Sequence, residues 1–289
     1  RGCICNDITV DCTNADLDVV PILLNPRTVS ITLANNKINS IQESLIFYTD
    51  LTSLDLSSNE LPSLGVRNFK GQRVLKTLFL NDNKLSSLEV ENFFGLSSLE
   101  YLTLNNNQLA HVDHDAFTGL ESLQSLYLER NRIKDISNSG FSGLSSVKSI
   151  SLMSNKLTSL PSSSISALKT LEELNFSDNK ISAVPARAFH SLLSLSFLDL
   201  SRNNISFVHP NAFVGLEKLR ILNLRDNRLS AVPNGAFPPL TALYSLDLGG
   251  NLFATIPRDF LGHLSSLHVL KMERCPRLGT VSQDAFVSG

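Results

Sequence analysis

The 289-residue sequence contains no tryptophan, four cysteines and no long uninterrupted apolar segment. A membrane-spanning helix needs about 20 consecutive apolar residues, so no part of this sequence is predicted to cross a bilayer. There are no runs of basic residues, and a net charge of −2 gives no electrostatic basis for binding nucleic acid. The sequence also begins without a signal peptide, and we expect it to be a fragment of a longer protein.

Motifs that carry chemistry are equally scarce. The six histidines are scattered, and no phosphate-binding loop or nucleophile elbow is present. One segment, His111-Val112-Asp113-His114-Asp115, has a spacing that resembles a metal site. It follows a predicted strand, in a loop where polar residues are simply solvated. We therefore predict that the protein is not an enzyme and has no catalytic residues, metal site or cofactor.

What the sequence does contain is an asparagine that returns every 24 residues. Apolar residues recur around it in the pattern L-x-x-L-x-L-x-x-N-x-L-x-x-L, as in the segments 99–112 and 219–232. This pattern is a leucine-rich repeat. The asparagines of the series are Asn59, Asn83, Asn107, Asn131, Asn155, Asn179, Asn203, Asn227 and Asn251, and Asn36 precedes the first by 23 residues.

The repeat predicts an α/β solenoid in the form of a leucine-rich-repeat horseshoe. Each L-x-L segment alternates with period two and should form a short parallel strand whose leucines point inward. We predict eleven such strands on the concave face, with loops or short 3-10 turns on the convex face. Residues 1–27 should form a cap. Residues 28–289 should form repeats 1–11 as one continuous domain, truncated at its C-terminus.

Two columns of side chains should fill the corners of the stack. The asparagines can satisfy buried backbone groups where the chain leaves each strand. Changing Asn155 to alanine should therefore cost about 2–3 kcal/mol, whereas Asn106, expected on the surface, should cost under about 0.5 kcal/mol. In the last turn Cys275 replaces the asparagine, either as a buried ladder residue or as a reactive or disulfide-bonded thiol. The second column consists of Phe69, Phe93, Phe117, Phe141, Phe189, Phe213 and Phe237, with Ile165 and Leu261 as substitutes.

Three cysteines, Cys3, Cys5 and Cys12, precede the first repeat. Taken alone they are compatible with a zinc knuckle or a disulfide cap, although a fourth zinc ligand is missing because the nearest histidine is His111. A short segment at 9–11 is predicted as a strand, and the sequence L-x-x-V-P follows at 17–21.

Together with the C-x-C-x6-C spacing, these features resemble the N-terminal cap of extracellular leucine-rich-repeat proteins. That family includes Slit, the Nogo receptor, Toll-like receptors and lamprey variable lymphocyte receptors. Its cap has four cysteines, paired first to third and second to fourth, and the first normally lies just before the part matched here. The resemblance implies a Cys3–Cys12 disulfide and a Cys5 that has no partner within this sequence. It also implies an oxidising, extracellular location, with which the N-glycosylation sequons at Asn175 and Asn204 agree.

The outward-facing x positions of the strands need not be apolar for folding, so aromatic residues there are informative. Phe79, Tyr101, Tyr127 and Met153 come from successive repeats and should form one stripe on the concave face, bordered by Glu100, Glu129 and Arg130. A second cluster should contain Phe197, Ile221 and Tyr244, with Asp199, Arg220, Arg225 and Asp247 beside it. The alternative is that these are ordinary exposed side chains.

We predict a non-enzymatic, protein-binding ectodomain of a cell-surface receptor or adhesion protein. Its partner should be an extracellular protein that binds mainly to the concave face. N-linked glycans are expected, and contact of this fragment with nucleic acid or membrane is not. The alternatives are an immune recognition receptor of the Toll-like or lamprey type and a secreted matrix protein. The sequence that follows Gly289 would distinguish these three.

Overall fold

A computed structural model describes residues 2–287. The chain forms two compact units, Arg1–Val147 and Lys148–Gly289. Both are built from turns that each contribute one short strand to a parallel sheet. Among residues 2–287, no helix is long and apolar enough to span a bilayer.

The first unit contains a parallel sheet that begins with an antiparallel hairpin. Its strands are β1 (Ile4–Asn6), β2 (Thr9–Asp11), β3 (Ser30–Thr32), β4 (Ser53–Asp55), β5 (Thr77–Phe79), β6 (Tyr101–Thr103), β7 (His111–Val112), β8 (Ser125–Tyr127) and β9 (Asp135–Ile136). The sheet order is β1-β2-β3-β4-β5-β6-β8, and only the β1–β2 pair is antiparallel. A 3-10 turn spans Ser44–Phe47.

The second unit repeats the same arrangement. Its elements are β10 (Ser149–Ser151), α1 (Ser162–Ile165), β11 (Glu173–Asn175), β12 (Ala183–Val184), β13 (Phe197–Asp199), β14 (Phe207–Val208), β15 (Ile221–Asn223), a 3-10 turn (Asn234–Ala236), β16 (Ser245–Asp247), β17 (Thr255–Ile256), β18 (Val269–Lys271) and β19 (Thr280–Val281). The sheet order is β10-β11-β13-β15-β16-β18, and every pair is parallel.

The fold class predicted from the sequence is confirmed. Within residues 2–287, eleven turns each contribute one strand of the predicted L-x-L type, and α1 is the single α-helical segment, four residues long. The central residue of each strand is buried, except in β18, where Leu270 is half-buried. The expected strand at 9–11 is β2, and the Cys3–Cys12 disulfide is present. Cys5 and Cys275 are free thiols.

The asparagine ladder is also confirmed, and Asn203 illustrates its geometry. Its side-chain Nδ2 donates to the carbonyls of Phe176 (3.0 Å), Leu200 (3.1 Å) and Ser201 (3.1 Å). Its Oδ1 accepts the backbone N–H of Ile181 at 3.0 Å. One side chain thus joins two consecutive turns and satisfies buried groups in both. Cys275 occupies the same position in the last turn, where its thiol lies 3.7 Å from the carbonyl of Leu248.

The residue just before each ladder position has a left-handed backbone. Asn106, for example, has φ +54° and is half-buried. Asn106 was expected on the surface but is half-buried, and its backbone is constrained, because residues other than glycine, asparagine and aspartate rarely adopt this conformation. The small cost expected for changing it to alanine stays a prediction. The positions of this column with positive φ are Asn35, Ser58, Asp82, Asn106, Arg130, Ser154, Asp178, Arg202, Asp226, Gly250 and Arg274.

Two details of the far side of the turns differ from expectation. Short second strands pair there in parallel, β7 with β9, β12 with β14 and β17 with β19, so His111 begins a strand rather than lying in a loop. The seven predicted column phenylalanines and Ile165 are buried, but Leu261 is only half-buried. Phe260 fills the column instead, with its ring 6.2 Å from that of Phe237. The buried phenyl group thus comes one residue earlier in this turn than the 24-residue register predicts.

Candidate binding surface

Three aromatic rings lie together on the outward face of the first sheet, which we call the three-ring cluster: Phe79, Tyr101 and Tyr127. The ring of Tyr101 lies 5.4 Å from that of Phe79 and 5.4 Å from that of Tyr127. The two interplanar angles are 46° and 45°. Tilted contacts at this distance are favourable between aromatic rings. Tyr101 is therefore the central member of the cluster.

Strand register explains why the rings touch. Phe79 and Tyr127 end their strands, whereas Tyr101 begins β6, so Tyr101 is a diagonal neighbour of both. Diagonal pairs are within reach of aromatic side chains. Directly between Phe79 and Tyr127 lies Thr103, and Tyr101 is flanked by Ser125 on the next strand. These small residues leave the space that the rings occupy.

The rings pack against one another but remain accessible. All three side chains are half-buried, and neither tyrosine hydroxyl has a hydrogen-bond partner within residues 2–287. Burial is the main reason why the pKa of Tyr101 is raised, with smaller contributions from Tyr127 and Glu129. An apolar surface with two unused hydroxyls can offer a partner both contact area and hydrogen bonds.

Three polar residues are predicted to border the three-ring cluster: Glu100, Glu129 and Arg130. Glu129 is half-buried, and its backbone N–H donates to Asn105 Oδ1 at 2.7 Å. Glu100, directly before β6, forms an ion pair of 3.0 Å with Lys76, directly before β5. Arg130 is exposed and forms no ion pair among the described residues. That these residues form the polar rim of an interface stays a prediction.

Met153 does not share the position of the rings. It belongs to the second unit and follows β10 by two residues, the register position that Glu129 has after β8. Phe79 and Tyr127 are instead the last residues of their strands. That Met153 continues the stripe stays a prediction.

In the second unit, Phe197 and Ile221 are direct neighbours on β13 and β15. Phe197 is half-buried and Ile221 is 40% exposed. Tyr244 lies just before β16, and its ring stacks on that of His268 at 4.7 Å. The guanidinium group of Arg220 lies 5.7 Å from the same tyrosine ring. The contribution of His268 was missed, although its 24-residue spacing from Tyr244 is visible in the sequence.

Arg225, another predicted contact residue, lies among carboxylates. Its guanidinium nitrogens are 3.8 Å from Asp226, 3.6 Å from Asp247 and 3.9 Å from Glu273. Its side chain is 24% exposed. The positive charge is therefore largely compensated within the unit, which reduces its availability for a partner.

The two sequon asparagines have different surroundings. Asn175 ends β11, and its Oδ1 accepts the backbone N–H of Ser177 at 2.8 Å. Its Nδ2 has no partner among residues 2–287. Asn204 is half-buried, and its backbone N–H donates to the carbonyl of Ile181 at 2.9 Å. Glycosylation at both positions stays a prediction.

The histidine segment that resembled a metal site makes local hydrogen bonds. His111 Nδ1 lies 2.6 Å from Asp135 Oδ1, and His114 Nδ1 lies 2.6 Å from Ser137 Oγ and 2.9 Å from Ser139 Oγ. Within the part of the chain that the structure describes, no group of three or more potential metal ligands converges.

Comparisons with known proteins agree with the fold. A family model described as leucine rich repeat matches residues 49–109, 98–157, 145–205, 169–229, 194–253 and 217–277. Tsukushi of Gallus gallus is 35% identical over 72 residues, which make up 24% of this chain and 20% of Tsukushi.

Two solved structures resemble most of the chain. A chain of the Drosophila Toll–Spatzle complex matches with a TM-score of 0.84 and 25% identity, covering 91% of this chain and 35% of that one. A chain of the octameric complex of Latrophilin 3, Unc5D and FLRT2 matches with a TM-score of 0.76 and 25% identity, covering 92% and 90%. This chain thus spans much less than two thirds of Tsukushi and of the Toll-complex chain.

Proposed function

This chain belongs to the leucine-rich-repeat family, and on that basis we propose that it is a non-enzymatic, protein-binding module. It is the extracellular part of a cell-surface receptor or adhesion protein, and it recognises another extracellular protein through the outward face of its strands. The Cys3–Cys12 disulfide supports an oxidising location, since such bonds persist outside the cytosol.

The observation that carries this proposal is the three-ring cluster. Tyr101 contacts both Phe79 and Tyr127, yet none of the three rings belongs to the leucine core. Folding requires only the inward-facing residue of each strand to be apolar, so it gives no reason for aromatic residues at these positions. Aromatic residues in partly buried, well-packed positions commonly dominate binding energy.

The matched structures support a protein ligand. One is a complex of Toll with Spatzle, and the other is an assembly of Latrophilin 3, Unc5D and FLRT2. In both, a chain of this fold takes part in a protein complex. We propose the same class of partner for this chain, with Glu129 and Arg130 forming the rim of the contact.

A binding screen tests the proposal. The multimerised protein is presented to a library of extracellular domains, and the Kd of each hit is then measured for the wild type and for Tyr101→Ala. We expect Tyr101→Ala to raise the Kd about thirtyfold or more, equivalent to about 2 kcal/mol. The change should cost less stability than the loss of a core leucine, because the ring contacts two neighbouring rings but lies outside the core.

Phe47→Ala is the matched control. Phe47 is an aromatic residue of the same unit with 53% exposure, but it lies in a 3-10 turn and not on a strand. Its removal should leave the Kd unchanged. A partner whose affinity responds to Phe47→Ala and not to Tyr101→Ala would show that the strand face is not the binding surface.

A second candidate function is immune recognition. The matched Toll–Spatzle structure is described as a hub of Drosophila development and innate immunity. If this function applies, the same Tyr101→Ala variant should lose binding to a microbial component, rather than to a host extracellular domain, in a parallel screen.

A further inference from the structure

Asn175 and Phe197 are neighbours on adjacent strands of the second unit. Asn175 ends β11, and Phe197 begins β13. In the register Asn175 pairs with Asp199, and Phe197 pairs with Glu173. The asparagine and the phenylalanine are therefore diagonal neighbours on the outward face, a distance that long side chains can bridge.

The same diagonal relation exists in the first unit, where its reach can be measured. Phe79 ends β5 and Tyr101 begins β6, and the 22-residue separation equals that between Asn175 and Phe197. The rings of Phe79 and Tyr101 lie 5.4 Å apart. A side-chain group at the position of Asn175 can therefore reach a ring at the position of Phe197.

In the folded protein the side-chain nitrogen of Asn175 is available to carry such a group. Its Oδ1 accepts the N–H of Ser177, whereas its Nδ2 has no partner within residues 2–287. Nδ2 is the atom that carries an N-linked sugar, and Asn175-Phe176-Ser177 is a sequon.

We propose that Asn175 carries an N-linked glycan whose first N-acetylglucosamine packs its apolar C–H face on Phe197, with Ile221 extending the platform. The glycan covers apolar surface that the fold leaves half-buried at Phe197 and 40% exposed at Ile221. Burial of such surface stabilises the modified protein.

The chemistry of attachment constrains when it happens. Asn175 Nδ2 attacks C1 of the sugar of a lipid-linked glycosyl diphosphate, a bond from Nδ2 to C1 forms, the C1–O bond to the diphosphate breaks, and Nδ2 loses a proton. A transferase of the secretory pathway supplies the donor. Phe176 and Ser177 are buried in the folded turn, so the transfer precedes folding of that turn.

This inference rests on the proposed function only for the extracellular location. It gives Phe197 and Ile221 a role other than partner contact and leaves the three-ring cluster as the protein-binding surface. The two ideas fail separately: peptide mapping reports on the glycan, and the binding screen with Tyr101→Ala reports on the partner.

The test uses four secreted proteins from eukaryotic cells: the wild type, Asn175→Asp, Phe197→Ala and the double variant. Asn175→Asp is a well-matched change, because Asp55, Asp199 and Asp247 occupy the same slot in other turns. There they accept the equivalent backbone N–H. It removes the sequon and keeps this hydrogen bond.

Peptide mapping should find a glycan on Asn175 in the wild type and in Phe197→Ala. Asn175→Asp should then lower Tm by about 2–4 °C when Phe197 is present, and by less than about 1 °C in the Phe197→Ala background. The N-acetyl methyl resonance of the first sugar should be shifted upfield by the ring and return to its normal position in Phe197→Ala.

Three results would overturn the proposal. The first is an unmodified Asn175 in the secreted wild type, and the second is an equal Tm change in the two backgrounds. The third is that Phe197→Ala weakens partner binding to the same extent in the wild-type and Asn175→Asp backgrounds. Phe197 would then contact the partner and not the glycan. Asn204→Gln serves as the control for the other sequon, and its effect on Tm should not depend on Phe197.

Discussion

Replacing Asn203 by alanine should lower the free energy of unfolding by about 2–3 kcal/mol. The change deletes four hydrogen bonds, but each of the three carbonyls that Asn203 serves keeps another donor. These donors are the side chains of Asn179 and Asn227 and the backbone of Asp178. The N–H of Ile181 alone is left buried without a partner. An orphaned buried N–H costs about 1–3 kcal/mol, and the lost bonds to the carbonyls add to it.

Urea denaturation of the wild type, Asn203→Ala and Asn211→Ala would measure this. Asn211 is an exposed asparagine of the same unit whose side chain makes no hydrogen bond among residues 2–287. Its change should cost under about 0.5 kcal/mol. The comparison requires the three proteins to have the same m-value. A repeat array can lose cooperativity, and a changed m-value would reveal that the unfolding free energies are no longer comparable. In Asn203→Ala the amide of Ile181 should also exchange faster. Equal denaturation midpoints for the two variants would refute the ladder argument.

Three further outcomes are expected. Arg202→Asn should stabilise the protein by about 0.5–1 kcal/mol in the same melts, because Arg202 has φ +51° and asparagine tolerates that conformation better. Reducing the Cys3–Cys12 disulfide should speed amide exchange in the first turns and leave the second unit unchanged, because each turn contacts only its neighbours. Hydrogen bonding from Arg67 lowers the pKa of Glu91. The wild type should therefore be more stable than Glu91→Gln at neutral pH, where this difference is at its maximum. The difference should shrink as the pH falls below about 4.3, the unfolded value, and through the folded pKa.

Sequence periodicity predicted the fold because every structural position is sampled many times. The asparagine column, the inward leucines and the strands follow from one 24-residue register, so an error in one turn is corrected by the others. The Cys3–Cys12 pairing came from resemblance to a family cap. Position-specific departures were harder to predict. The buried side chain of the phenylalanine column is Phe260 and not Leu261, one residue before the predicted position. The other turns all follow the 24-residue register and therefore do not predict this shift.

The left-handed column was missed for a different reason. It contains asparagine, aspartate, glycine, serine and arginine, as at Asn106, Ser154 and Arg202. Backbone conformation there is imposed by the turn and by the ladder asparagine that follows, so the residue type does not report it. Only the three-dimensional structure reveals that Asn106 is under a backbone constraint.

At outward-facing strand positions the fold hardly constrains the residue type, so an aromatic residue there is informative about function. The sequence therefore identified Phe79, Tyr101 and Tyr127 as unusual but did not establish which of them touch. Register supplies that rule: outward residues separated by 22 or 26 positions are diagonal neighbours, as Tyr101 is to the other two. The same rule places Phe197 beside Asn175. An aromatic residue on the strand face thus has its contacts set by its register position within the repeat.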